Sequence, residues 1–228
     1  MKVSQNSLGA YYGDRYIKDY AVSSANANKA VSKFVRGVYC TNKLLTKIKE
    51  FANTDGLVDC FNLPQFIVEL QEHFYNLLGE EDATSWTPLF LEAINVGADL
   101  SSVQPKFQKF VLESVLHNVE DDKFTQQKDA ILNSLKVIEA WIETGSVDTA
   151  AADAAVDTAL YATYAKGTAS CAAYAAVYAT AYESTANAAS AAVYAIDVAF
   201  QDSASNDTMM EKVKAQSVEL LRLLAECK

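Results

Sequence analysis

The sequence predicts an all-α protein, a single-domain bundle of about seven helices over residues 1–228 that carries an alanine- and tyrosine-rich hairpin near its end. Three observations predict it. Apolar residues recur at steps of three, four and seven along most of the chain; residues 150–199 hold 22 alanines, the residue of highest helix propensity; and no segment alternates with the period of two that marks a strand. Half of the 228 residues are apolar and 21% are charged, with eight Gly and three Pro, which excludes disordered and collagen-like chains. A chain of this length buries roughly 70% of its unfolded surface without needing disulfides or metal.

Residues 1–20 are aperiodic and include Gly9-Ala10-Tyr11-Tyr12-Gly13, so they read as an irregular arm. N-terminal helices fill 27–145. The first places Val31, Phe34, Val38, Leu45, Ile48 and Ala52 on one side and Lys29, Lys33, Arg36, Lys43 and Lys47 on another, a basic amphipathic helix ended by Asn53-Thr54-Asp55-Gly56. Asn62 and Pro64 open a second helix through Phe66, Ile67, Leu70, Phe74, Leu77 and Leu78, stopped at Gly79. Thr87-Pro88 reads as an N-cap with a first-turn proline, starting a short helix through Ile94 that ends near Gly97. Glu80-Glu81-Asp82 and Glu120-Asp121-Asp122 then fall in solvated loops.

Val103, Phe107, Phe110, Val111 and Ser114 define the next helix. Phe124, Ile131, Leu135, Ile138 and Ile142 define the one after, with Gly145 at its stop. From 146 onward the hairpin and a terminal helix complete the chain: about 147–166, a break at Gly167-Thr168, then about 168–201. Asp148 stabilises the hairpin's first N-terminus, while Asp153 and Asp157 make a solvated face. Thr208 and Glu211 form a capping box for the terminal helix, which sets Met210, Val213, Leu220, Leu224 and Cys227 on one side.

The net charge of −10 argues against direct nucleic-acid binding, which draws on a Lys/Arg excess. The charge is uneven, because residues 1–49 hold nine Lys/Arg against Asp14 and Asp19, a basic head on an acidic body. That head either docks on its own body or meets an acidic partner. Tyr174, Tyr178 and Tyr182 stand at i, i+4 and i+8 on one ridge, and they either form the seam between the hairpin and the N-terminal helices or line a surface for a protein partner. The candidate partner-binding residues are therefore Tyr174, Tyr178, Tyr182, Lys29, Lys33, Arg36, Lys43 and Lys47. A long alanine-faced helix also makes a homodimer plausible.

Cys40, Cys60, Cys171 and Cys227 are too scattered for a zinc site and read as small buried hydrophobes in a reducing compartment. Residues 1–6 lack the apolar core of a signal peptide, and 168–200 are too polar to cross a bilayer, so the expectation is a cytoplasmic protein with no membrane contact. His73 follows Glu69 by four residues, as in a surface hydrogen-bonded pair, and His117 sits near a helix end. No phosphate loop, zinc-protease helix, nucleophile elbow or kinase signature is present, and no cofactor, metal site or catalytic residue is predicted.

The stretch KVIEAWIETG at 136–145, followed by DTAAADAA at 148–155 and AAYAAVYA at 172–179, resembles the immunity proteins of bacterial polymorphic-toxin systems, which also occur as similar sequences in phage genomes. In that family a helix ending A-I-E-A-x-x-x-W-x-x-G precedes an alanine-rich helical hairpin. The resemblance covers about residues 136–200 and carries no functional residue across, and this chain places Tyr, Ser and Thr where the family intersperses Arg and His. It implies a non-enzymatic protein that binds and inhibits or neutralises another protein, as toxin immunity or as a phage-borne inhibitor of a host system. Two alternatives stand beside it: a ligand-binding or enzymatic protein with a pocket between helices, and an acidic mimic of nucleic acid.

Overall fold

The computed structural model describes residues 9–30, 58, 61–78, 80–116, 124–163, 175 and 206–228. Among these the protein is all-α, with seven helices and no strand: α1 (Arg15–Ala30), α2 (Gln65–Leu77), α3 (Glu80–Ala93), α4 (Val103–Leu116), α5 (Thr125–Thr144), α6 (Thr149–Ala162) and α7 (Asn206–Glu226). They fall into two compact units. One is drawn from residues up to Ser101 together with Leu220–Lys228, the other from Ser102–Glu219.

In the first unit, α1 and α2 both pack on α3. The apolar spacing of α2 buries Phe66, Ile67, Leu70 and Phe74, and α3 answers with Ala83, Trp86, Phe90 and Leu91. Phe74 meets Trp86 edge-on, ring centres 5.5 Å apart, the geometry in which a ring's positive edge faces a negative π-face. The indole N–H of Trp86 donates to the Gln71 carbonyl at 3.0 Å, and the Gln71 amide nitrogen donates to Thr87 Oγ1 at 3.0 Å, so both of these buried donors have partners. Leu220, Leu224 and Cys227 are buried here as the terminal helix's periodicity predicts, and Leu223 is buried beside them.

Residues 9–13 are not a loose arm. Tyr11 is fully buried and its hydroxyl donates to the Leu91 carbonyl at 2.6 Å. Gly9, Tyr11, Tyr12 and Gly13 all have positive φ, which makes Ala10–Gly13 one left-handed turn. Period analysis is blind to such a turn, since the right-handed helical repeat is absent from it. The helix that follows begins at Arg15, not near Ala27, and residues 31–57 of the expected basic helix lie outside the described residues.

Two further boundaries differ. Thr87-Pro88 does not start a helix; α3 already runs from Glu80 and Pro88 lies inside it. The burial of Ala83, Trp86, Phe90 and Leu91 on one face outweighs the single backbone hydrogen bond that proline removes. Glu80-Glu81-Asp82 is therefore the first helical turn and not a loop, where unpaired N–H groups favour negative charge. Likewise α7 spans Asn206–Glu226, so the backbone of Thr208 already lies inside the helix and not ahead of it.

In the second unit α5 packs against both α4 and α6. Val103, Phe107, Val111, Leu112 and Val115 of α4 are buried, as are Ala130, Ile131, Leu135 and Ile138 of α5. Val213 of α7 is buried too. Gly145 ends α5 with φ 74°, and its N–H donates to the Trp141 carbonyl at 2.9 Å, the left-handed cap that the sequence predicts. Asp148 then caps α6, its carboxylate accepting from the N–H groups of Ala150 and Ala151, both at 3.1 Å.

Candidate functional site

The sequence-predicted partner residues fall almost wholly outside the described residues. Tyr174, Tyr178, Tyr182, Lys33, Arg36, Lys43 and Lys47 lie there, and Lys29 is placed only as a backbone position in the last turn of α1. The surface that can be built from described residues is the α5–α6 hairpin of the second unit.

Its geometry follows from alanine. Ala152, Ala155, Ala159 and Ala162 recur at three and four residues and are buried, so one face of α6 lies close against α5 with almost no side chain between. The Gln127 amide of α5 donates to the Ala162 carbonyl at 2.9 Å and fixes that approach. Because the inner face is settled by alanine, the larger side chains are turned outward. Asp153, Asp157 and Tyr161 follow at i, i+4 and i+8, a stripe about 12 Å long on a helix rising 1.5 Å per residue. Tyr161 is 75% exposed and Leu160 beside it 43%. No Lys or Arg occurs between Ser146 and Ala165, so the charges that α6 itself sets beside this apolar pair are all negative.

The first unit carries another exposed aromatic pair, Tyr16 (77%) and Tyr20 (38%), one turn apart on α1. Its charges are already engaged: Arg15 Nε donates to Asp19 at 3.0 Å, and Lys18 Nζ donates to the Glu92 carbonyl at the C-terminal end of α3 at 2.8 Å. Burial holds the Lys18 ammonium below the ordinary lysine value. α6 differs in that no basic side chain of its own balances Asp153 and Asp157. Neither pair was singled out from the sequence as a contact residue, although the alanine period that fixes the inner face of α6 was a signal for Leu160 and Tyr161.

His73 does not form the expected surface pair with Glu69. Its Nε2 is buried without a hydrogen-bond partner, its ring lies edge-on to Phe74 at 5.5 Å, and burial pushes its pKa down to about 4. The carboxylate of Glu69 instead accepts from Gln65 at 2.9 Å. Cys227 is a buried free thiol whose Sγ contacts the Leu223 carbonyl at 3.3 Å. Among the described residues no three His, Cys, Asp or Glu stand together as a metal site, and no helix is long and apolar enough to cross a membrane. Comparison with protein-family models, with curated proteins and with solved structures finds no match to this chain.

Proposed function

We propose that this protein binds another protein and inhibits or neutralises it, as toxin immunity or as a phage-borne inhibitor of a host system, without catalysing a reaction itself. The outward face of α6 supports the reading: an exposed aromatic–aliphatic pair, Leu160 and Tyr161, bordered by Asp153 and Asp157 on a helix whose other face is buried alanine. Tyrosine supplies a large contact area at low entropic cost and is over-represented at binding hot spots. The partner that fits presents an apolar recess rimmed by Lys or Arg, since the flanking charge is negative and nothing basic in α6 offsets it. The reading places the protein in the cytoplasm, with no cofactor, no nucleic-acid contact and no membrane contact.

The test is affinity capture of the tagged protein from its native host beside a Leu160→Ala/Tyr161→Ala variant, with native mass of each preparation. One stoichiometric protein retained by the natural chain and lost by the variant, whose own activity falls to zero at a one-to-one ratio, is the expected result. Retention of that protein by both forms removes the α6 face from the account, and capture of nothing but a second copy overturns the reading.

A second reading, a polar ligand held between helices, draws on Gln108 and Ser134. Both are buried, at 1% and 0% exposure, and both atoms of the Gln108 amide and the Ser134 hydroxyl lack a hydrogen-bond partner. A bound small-molecule mass in the same native spectrum selects it.

A further inference from the structure

We infer that the left-handed turn Ala10–Gly13 is a strained latch on the loop at residues 95–99, and that this loop couples the latch to residues 225–228. The contacts that close it are specific. Ala10 N–H donates to the Ala98 carbonyl at 3.1 Å and Gly97 N–H donates back to the Ala10 carbonyl at 2.8 Å. Asn62 Nδ2 donates to the Gly9 carbonyl at 2.7 Å, and Tyr11 plugs the core below, its hydroxyl on Leu91. The approach is so close that a Cβ on Gly9 would stand 2.2 Å from the Gly97 carbonyl oxygen, which only glycine tolerates.

Against these contacts stands the backbone. Tyr11 and Tyr12 hold φ of 55° and 52°, where a Cβ crowds the neighbouring carbonyl, and two consecutive non-glycine residues in that region persist only where surrounding contacts impose them. The turn gains conformational freedom as soon as those contacts break, which lowers the cost of lifting it.

The loop that receives the latch also holds the far end of the described chain. Asn95 Nδ2 donates to the carbonyls of Ala225, at 3.1 Å, and Cys227, at 2.8 Å, and Asp99 N–H donates to the Lys228 carbonyl at 3.2 Å. Five residues thus serve two clients. Each client orders the loop for the other, and such coupling is reciprocal: whatever displaces residues 225–228 loosens the latch, and whatever lifts the latch loosens residues 225–228.

Native-state hydrogen exchange of the full chain, read by NMR at the amides of Ala10, Gly97 and Asp99 with Leu70 of the α2 core as reference, tests both parts. The three amides are expected to exchange at one common rate, at least about tenfold faster than Leu70. Tyr12→Gly and Tyr12→Ala both lose the ring, but only glycine removes the Cβ penalty, so the glycine variant should exchange about fivefold more slowly than the alanine variant at all three amides. Asn95→Ala should accelerate Ala10 and Gly97, which it does not touch. Protection equal to that of Leu70, or equal rates in the two Tyr12 variants, overturns the latch; acceleration confined to Asp99 in Asn95→Ala overturns the coupling.

Discussion

Acidification should destabilise this protein through His73 before its carboxylates are protonated. The imidazole lies against Phe74 with Nε2 buried, and burial alone takes its pKa from 6.5 to about 4. The sign follows from proton counting. Between those two values the unfolded chain holds a proton on His73 and the folded chain does not, so stability rises with pH across that window; it is fully present above about 6.5 and is lost as the pH falls towards 4. At 1.36 kcal/mol per pKa unit the whole window is worth roughly 3 kcal/mol, and the share lost between pH 7.5 and 5.0 is about 2 kcal/mol. For a domain with a total stability of about 5–15 kcal/mol that is a large fraction. Urea unfolding at pH 7.5 and 5.0, for the natural chain and for His73→Phe, isolates it: the variant keeps a ring in the site and removes the titration, so its stability should change by about 2 kcal/mol less between the two pH values. NMR titration of the His73 ring in the natural chain gives an independent readout. Equal pH slopes in the two chains, or a ring that titrates near 6.5, would refute the reasoning.

Other outcomes follow from particular contacts. Asp148→Ala removes the acceptor of the Ala150 and Ala151 N–H groups and should cost about 1 kcal/mol in urea unfolding, with Asp148→Asn recovering most of it. Ala159→Leu forces a large side chain into the fully buried seam of α6 and should cost roughly 1–3 kcal/mol or more, whereas Ala154→Leu, one residue of the same type on the exposed side, should change thermal stability by less than about 0.5 kcal/mol.

The difference between those two alanines shows how much was legible in advance. Local chemistry carries the helices with strong period and ordinary caps: Gly145 and Asp148 bound α5 and α6 as read, and most of the apolar sets of α2, α4 and α5 are buried, with Leu77, Phe110, Ser114, Phe124 and Ile142 only half-buried. The errors lie where a nonlocal contact overrides a local signal. Pro88 sits inside α3 because the buried face around Trp86 is continuous across it. His73 is half-buried, with its Nε2 buried and its ring edge-on to Phe74, and is not in a surface pair, an orientation invisible to a spacing of four residues.

The candidate site divides the same way. Alanine at 152, 155, 159 and 162 marks the close-packed side of α6, and the tertiary structure leaves Asp153, Asp157, Leu160 and Tyr161 exposed. All-α architecture is likewise set by composition and period, which act within a few residues of each other. Tertiary structure alone decided that Tyr11 is a core plug, that Gly9 and Gly97 meet, and that one loop holds residues from both extremes of the described chain. Those pairings join positions about 80 to 130 residues apart, and no propensity that is summed over neighbours can register a partner so distant in sequence.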